Sequence, residues 1–352
     1  MKRQTRKRNV RSLGLQEYIL FAGVVAYLLI FGVLTKKLPN PSASVTQYPD
    51  KADPRLRSAA VLDEHKKTNI LVAMAIDCNS IVNVSKIMRS IQLPATTNVE
   101  LFWYFNIYNA KSEKCANATI PQLPRVSIAK EEIVKIQFWL EFLKPQKVQV
   151  EFDTTFDFVW MVDSDLLLEA LNFGTFLHIT QTLDFGIAQP AILGTCATCR
   201  GSDHPHLNKI SVPDLTVIAK TASIVEIMTP FMKFSVWQQL HPLLEAVYPV
   251  DMIELRSTYS GPDLWWCGYV WDQIKQSKQN IDSNPLAAYP CGVVHATPMF
   301  HMNTRTVQKG EEFLERQNRA IRRHEMMYPA YFESAKELLS GQEFTVTDVY
   351  RP

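Results

Sequence analysis

Asp163 and Asp165 stand one residue apart at the end of an apolar run, Phe156-Asp157-Phe158-Val159-Trp160-Met161-Val162. Carboxylates at the end of a buried segment are costly unless they face water or a cation. This spacing suits a hard divalent ion, Mg2+ or Mn2+, that also holds phosphate oxygens. The alternative is an Asp-rich turn that caps a helix. His295 ends a late apolar run, Gly292-Val293-Val294, where a neutral imidazole could complete the metal site or sit hydrogen-bonded in the core. Asp263 lies in a Gly-Pro-Asp turn before an aromatic segment. It could deprotonate a hydroxyl, or cap the helix that follows. Glu226, between Val225 and Ile227, needs a partner if buried, so it is either functional or salt-bridged.

Other groups have a structural reading beside the chemical one. Trp265, Trp266, Tyr269 and Trp271 could stack on a sugar ring, but their helical spacing equally suits a core. Cys196-Ala197-Thr198-Cys199 with His204 and His206 mimics a zinc or redox site. A disulfide-pinned loop in an oxidising compartment is the favoured reading.

Strands and helices must place these residues. Residues 70–75 and 99–105 read as buried strands, like residues 156–162. Residues 186–189 form another, stopped by Pro190, and residues 291–295 a last short one. Helical spacing covers residues 84–91, 131–143, 171–182, 234–247, 266–278 and 311–340. The alternation predicts an α/β fold with a mostly parallel sheet flanked by helices. In open sheets of this kind ligands bind beyond the carboxyl ends of strands, where Asp163 and Asp165 fall.

At 47% hydrophobic and 20% charged residues, the composition is that of a chain with a core. Lys2, Arg3, Arg6, Lys7, Arg8 and Arg11 form a basic tail over residues 1–17, and no broad basic face follows. Nucleic-acid binding is therefore not expected. Residues 18–34 carry no charge and read as one N-terminal transmembrane helix, a signal anchor. A cleaved signal peptide is the alternative. The basic excess before the span predicts a cytosolic N-terminus and a lumenal main domain, a type II arrangement in the Golgi or endoplasmic reticulum membrane. Residues 35–66, with Pro39, Pro41, Pro49 and Pro54, read as a stem; residues 67–305 follow as the main domain and 306–352 as a helical extension.

Asn83-Val84-Ser85 and Asn117-Ala118-Thr119 are glycosylation sequons. Cys78, Cys115, Cys196, Cys199, Cys267 and Cys291 all lie on the lumenal side. Six cysteines allow fifteen disulfide connectivities. Proximity favours Cys267 with Cys291 and Cys78 with Cys115.

The order of several blocks resembles a family of plant and protist membrane-anchored proteins with a domain of unknown function, related to GT-A glycosyltransferases. The blocks are Leu71-Val72-Ala73-Met74-Ala75, Lys135-Ile136-Gln137-Phe138-Trp139, Asp163-Ser164-Asp165-Leu166, Ile187-Ala188-Gln189-Pro190-Ala191, Val225-Glu226-Ile227-Met228-Thr229-Pro230-Phe231, Pro262-Asp263-Leu264 and Gly292-Val293-Val294-His295. The resemblance spans roughly residues 69–305. It implies a GT-A-like, Rossmann-like domain that binds a nucleotide-sugar. Asp163, Asp165 and Ala73 would be cofactor-binding, Asp163, Asp165 and His295 metal ligands, and Asp263 and Glu226 catalytic. This chain departs from the family where Cys196 to His206 replace a Gly-rich loop, and at Pro290-Cys291-Gly292. The expected activity is metal-dependent transfer of a sugar to a hydroxyl on a glycan, protein or lipid. The alternative is a non-catalytic glycan-binding or scaffold protein on the same fold. A disulfide oxidoreductase using Cys196 and Cys199 is the third reading.

Overall fold

The apolar runs assemble into one ten-stranded sheet. The computed structural model describes residues 67–77, 84–91, 93, 98–108, 124–131, 133–194, 213–214, 216–256, 260–279, 286–301, 311–338 and 341–349. The basic tail, the 18–34 span and the 35–66 stem lie outside these residues, as do Asn83, Asn117, Cys78, Cys115, Cys196, Cys199, His204 and His206. Among the described residues no helix is long and apolar enough to cross a membrane.

The strands are β1 (Thr68–Ile76), β2 (Val99–Ile107), β3 (Val126–Ala129), β4 (Phe158–Asp163), β5 (Leu166–Leu167), β6 (Phe185–Gly194), β7 (Ala219–Thr221), β8 (Phe231–Lys233), β9 (Tyr289–His301) and β10 (Glu343–Phe344). Their order is β10-β7-β9-β6-β8-β4-β1-β2-β3, with β5 paired to β9. Seven strands run one way, and β5, β7 and β8 oppose them. The sheet is therefore mostly parallel, with helices on both faces.

That layering explains the continuous apolar runs. Ile70, Leu71 and Val72 have no exposed surface, because successive side chains enter different covered layers. Val72 and Met74 join a core with α1 (Val84–Ser90) and α4 (Phe173–Thr182). Leu71 and Ala73 join the other, with α2 (Lys135–Phe142), α3 (Pro145–Phe152), α5 (Phe234–Val247) and α7 (Trp266–Gln279). A single turn, α6 (Ile253–Arg256), follows α5.

Several boundaries differ from the sequence expectation. The 131–143 helix starts at Lys135, and Pro145 opens a second helix that had no separate signal. Proline does not stop β6. Instead the pairing with β9 shifts register there: Pro190 faces Val294, but Ile192 faces Met299. The extra β9 residues form a bulge where Pro190 offers no donor. Beyond the bulge β9 resumes and ends at His301, not at His295.

Residues 311–349 pack back onto the domain. They form α8 (Glu311–Met327), α9 (Pro329–Lys336), β10 and α10 (Val346–Val349). Pro329 at the first position of α9 divides the long helical pattern. Gly268 lets α7 meet α9 at the backbone, since a Cβ there would overlap the Tyr331 carbonyl. β10 adds an edge strand beside β7.

Cys267 and Cys291 form a disulfide across 24 residues, tying α7 to β9. Closing a loop of that size stabilises by about 3 kcal/mol through the unfolded chain. Urea unfolding of a Cys267→Ser/Cys291→Ser variant should show a loss of that size.

Candidate active site

β4 delivers Asp163 to its carboxyl end, and the Ser164-Asp165 turn leads into the two-residue β5. β5 pairs antiparallel with the last residues of β9, Leu166 opposite His301. This register sets Asp165 beside His301, with Oδ2 and Nε2 3.1 Å apart. The opposite side of the turn is fixed by backbone. Asp163 N–H donates to the Met228 carbonyl at 2.9 Å, and Met161 N–H to the Pro230 carbonyl at 3.0 Å. The segment before β8, which carries Glu226, is thereby held against β4. Glu226 N–H also donates to Oε1 of the fully buried Gln189 at 2.5 Å.

Lys135 approaches from the other flank. It is the first residue of α2, and its Nζ lies 2.5 Å from the Asp163 carboxylate. A cation at a helix N-terminus is disfavoured by the helix dipole, typically by about 0.3–1 kcal/mol. Asp163 offsets that cost, so the pair is a tertiary requirement and not a helix preference. The same Nζ lies 3.5 Å from the Ile227 carbonyl.

Charge at this edge is unevenly matched. Asp163 keeps 28% of its side-chain surface open. Even so, burial pushes its carboxyl above the ordinary range, against the pull of Lys135. Burial works against ionisation of Asp165 too, but the hydrogen bond and charge of His301 outweigh it and hold the carboxyl low. Reciprocally, the hydrogen bond to Asp165 raises His301, with Asp163 and Glu226 adding to it. Asp263 is pushed up to about 6 by burial, opposed by the Gly261 N–H and by Lys135. Lys135 thus acts electrostatically on Asp163, Asp165 and Asp263 alike.

Asp263 sits in a short 3-10 turn, Pro262–Leu264, entered through Gly261 at φ 123°. Its Oδ1 accepts from Gly261 N–H at 3.3 Å. Only glycine adopts that φ without strain, and a Cβ would overlap the His324 ring. Gly261→Ala should cost about 3 kcal/mol, combining backbone strain with overpacking, as read from chemical unfolding.

The expected residues separate into two groups. Asp163, Asp165, Glu226 and Asp263 are linked through Lys135 and His301. Ala73 is 1% exposed within the sheet core, and Ala75 is the β1 residue opposite Asp163. His295 is 4% exposed at the β9 bulge, where its Nδ1 accepts from Asp214 N–H at 3.0 Å. The histidine beside Asp165 is His301, because β9 continues past the bulge. The aromatic cluster is core: Trp265 and Trp266 are buried, and Tyr269 donates to Gln239 at 2.6 Å. Trp271 donates its indole N–H to Glu337 at 2.7 Å. Lys135 and His301 had no individual signal in the sequence. The first reads as the polar face of an amphipathic helix, and the second lies beyond a proline.

Asp165 and His301 offer oxygen and nitrogen donors of the kinds that divalent ions accept, and here the two are hydrogen-bonded to each other, Oδ2 and Nε2 3.1 Å apart. Among the described residues no group of three or more His, Cys, Asp and Glu side chains is arranged to hold a metal. An ion here would take its remaining ligands from water or substrate phosphates, as magnesium commonly does.

No protein-family model matches the chain. No curated protein matches it in sequence. Among solved structures it is similar to residues 1–349 of S. aureus TarS in complex with UDP-GlcNAc. That likeness has 14% identity and a TM-score of 0.32, covering 76% of this chain and 73% of that one. It is a distant likeness from which no residue role or ligand carries across.

Proposed function

We propose that the chain is a metal-dependent glycosyltransferase, moving a sugar from a nucleotide-sugar to a hydroxyl on a glycan, protein or lipid. The supporting observation is the meeting of Asp163, Asp165, His301 and Lys135 at the carboxyl edge of the sheet, with Asp263 under the influence of the same lysine. The mostly parallel sheet fits a GT-A-type domain, and the Cys267–Cys291 bond fits an oxidising lumen.

In this reading Asp165 and His301 hold a Mn2+ or Mg2+ ion. When bound, the ion supplies positive charge for a leaving diphosphate. Lys135 gives a second positive charge at the same place, pre-oriented by Asp163. Asp263 takes the proton of the acceptor hydroxyl. With its carboxyl at about 6 it is mostly ionised at neutral pH, yet basic enough to accept a proton. As that O–H bond breaks, the acceptor oxygen bonds the anomeric carbon. The carbon's bond to the diphosphate oxygen breaks, and its electron pair leaves with the phosphate. This sequence inverts the anomeric centre.

The test is a panel of nucleotide-sugars read by thermal shift and by donor hydrolysis, with and without Mn2+. A Mn2+-dependent shift with hydrolysis supports transfer. Binding of free glycans without any nucleotide-dependent shift would instead favour the glycan-binding alternative.

A further inference from the structure

The Asp263 turn is gripped on both shoulders by one side chain of α8. His324 has no exposed surface. Trp265, which follows the turn, donates its indole N–H to His324 Nδ1 at 2.8 Å. On the other side of the ring, Nε2 lies 2.9 Å from the Tyr248 hydroxyl. Tyr248 spends its own proton on the carbonyl of Ser260, just before the turn, at 2.8 Å. Nε2 must therefore carry the proton it shares with Tyr248. An indole N–H can only donate, so Nδ1 must carry a lone pair. Both contacts demand the same neutral tautomer. Burial, aided by Arg323, pushes the ring's titration down to about 3, so the tautomer persists across the working pH range.

The ring also abuts the turn itself, where a Cβ on Gly261 would collide with it. Gly261 and Trp265 are thus held around Asp263 by the imidazole directly, and Ser260 through Tyr248. An apolar ring could fill this volume without two buried hydrogen bonds to satisfy. A buried polar network that is fully satisfied instead specifies one geometry.

We infer that His324 is the positioning residue for Asp263, holding the turn from residue 260 to 265 so that the carboxyl stays enclosed. The functional part of this inference rests on Asp263 acting as the base. The charged groups around the device are Lys135 from α2, which acts on Asp263, and Arg323, which acts on His324. Tyr328 and Tyr331 contribute ring contacts to Trp265.

The experiment uses the full chain with Tyr248→Phe, His324→Gln and His324→Phe, each with Asp263 present and with Asp263→Asn. Unfolding stability is measured across pH, and the difference between the Asp and Asn members of each pair reports the titration of Asp263. The midpoint for the folded state, read where that difference levels off on the high-pH side, should lie at about 6 in the wild type. In Tyr248→Phe and His324→Phe a loosened turn admits water, and the midpoint should fall by about one unit or more. His324→Gln retains a donor near the Nε2 position and should fall less. Turnover should drop about 10-fold in Tyr248→Phe with donor KM unchanged, the signature of a misplaced base. A folded Tyr248→Phe protein with an unshifted midpoint and wild-type turnover would overturn the inference. Should His324→Phe fail to fold, the milder Tyr248→Phe decides. The midpoint is read from stability alone, so it tests the clamp even if no transfer is found. Conversely, transfer that survives Asp263→Asn removes the base assignment and leaves the midpoint as the measure of the clamp.

Discussion

Asp263→Asn should make the protein more stable at pH 7.5 by about 2–3 kcal/mol and, on the proposed function, abolish transfer. The stability gain follows from linkage. The Asp263 carboxyl titrates at about 6 in the fold, against 3.8 for the ordinary group. Between these values the folded protein holds a proton that the unfolded chain has released. Folding is therefore favoured by this group below pH 3.8, and the advantage disappears as pH rises through 6. At about 1.4 kcal/mol per unit the penalty at neutral pH is about 3 kcal/mol, somewhat less because the side chain is only partly buried. An amide carries no such penalty. Urea midpoints of the two proteins should therefore coincide near pH 4 and diverge toward pH 7.5. Coincidence at both pH values would show that Asp263 titrates normally and is not poised as a base. The loss of transfer should reach about 10²–10⁴-fold, the usual contribution of a general base.

On the proposed function, Asp165→Ala should lower transfer by about 10³-fold and remove the Mn2+-dependent thermal shift, and it should also cost stability, because His301 loses the carboxylate that it holds low. Asp163→Ala should cost stability too. It takes from the Lys135 ammonium, 16% exposed, its carboxylate partner at 2.5 Å, and losing a charged hydrogen-bond partner at a part-buried site costs about 1–3 kcal/mol. Each aspartate thus has a part-buried cation as its partner, and an unchanged urea midpoint in either variant would show that its pair contributes nothing to the fold.

The residues themselves explain what could be read in advance. β1, β2 and β4 are buried on both faces, so their apolar runs announce them. β5, β7, β8 and β10 span two or three residues each, too short for any periodicity to register. Asp163, Asp165 and Asp263 were legible because acids beside apolar runs and Gly-Pro turns are locally anomalous. Lys135 was not, because nothing local distinguishes a helix lysine that meets an aspartate 28 residues away from one in water. The late histidine was sought at residue 295 as the end of a strand, whereas β9 runs on and ends at His301. The strand, however, survives Pro298 by bulging, a property of its pairing with β6 that the isolated segment does not express.

The C-terminal segment bears on how the molecule is made. α8 supplies the imidazole behind Asp263, and β10 supplies the last strand of the sheet. A nascent chain emerges N-terminus first, so β1 to β4 can pair long before these pieces exist. The Asp263 turn and the sheet edge are completed only once residues 311–344 have emerged. A chain terminated early, or trimmed after residue 310, would keep Asp163, Asp165 and His301 yet leave the Asp263 turn without its clamp and β7 as an open edge. Premature products should therefore be inert toward substrate and prone to edge-to-edge association.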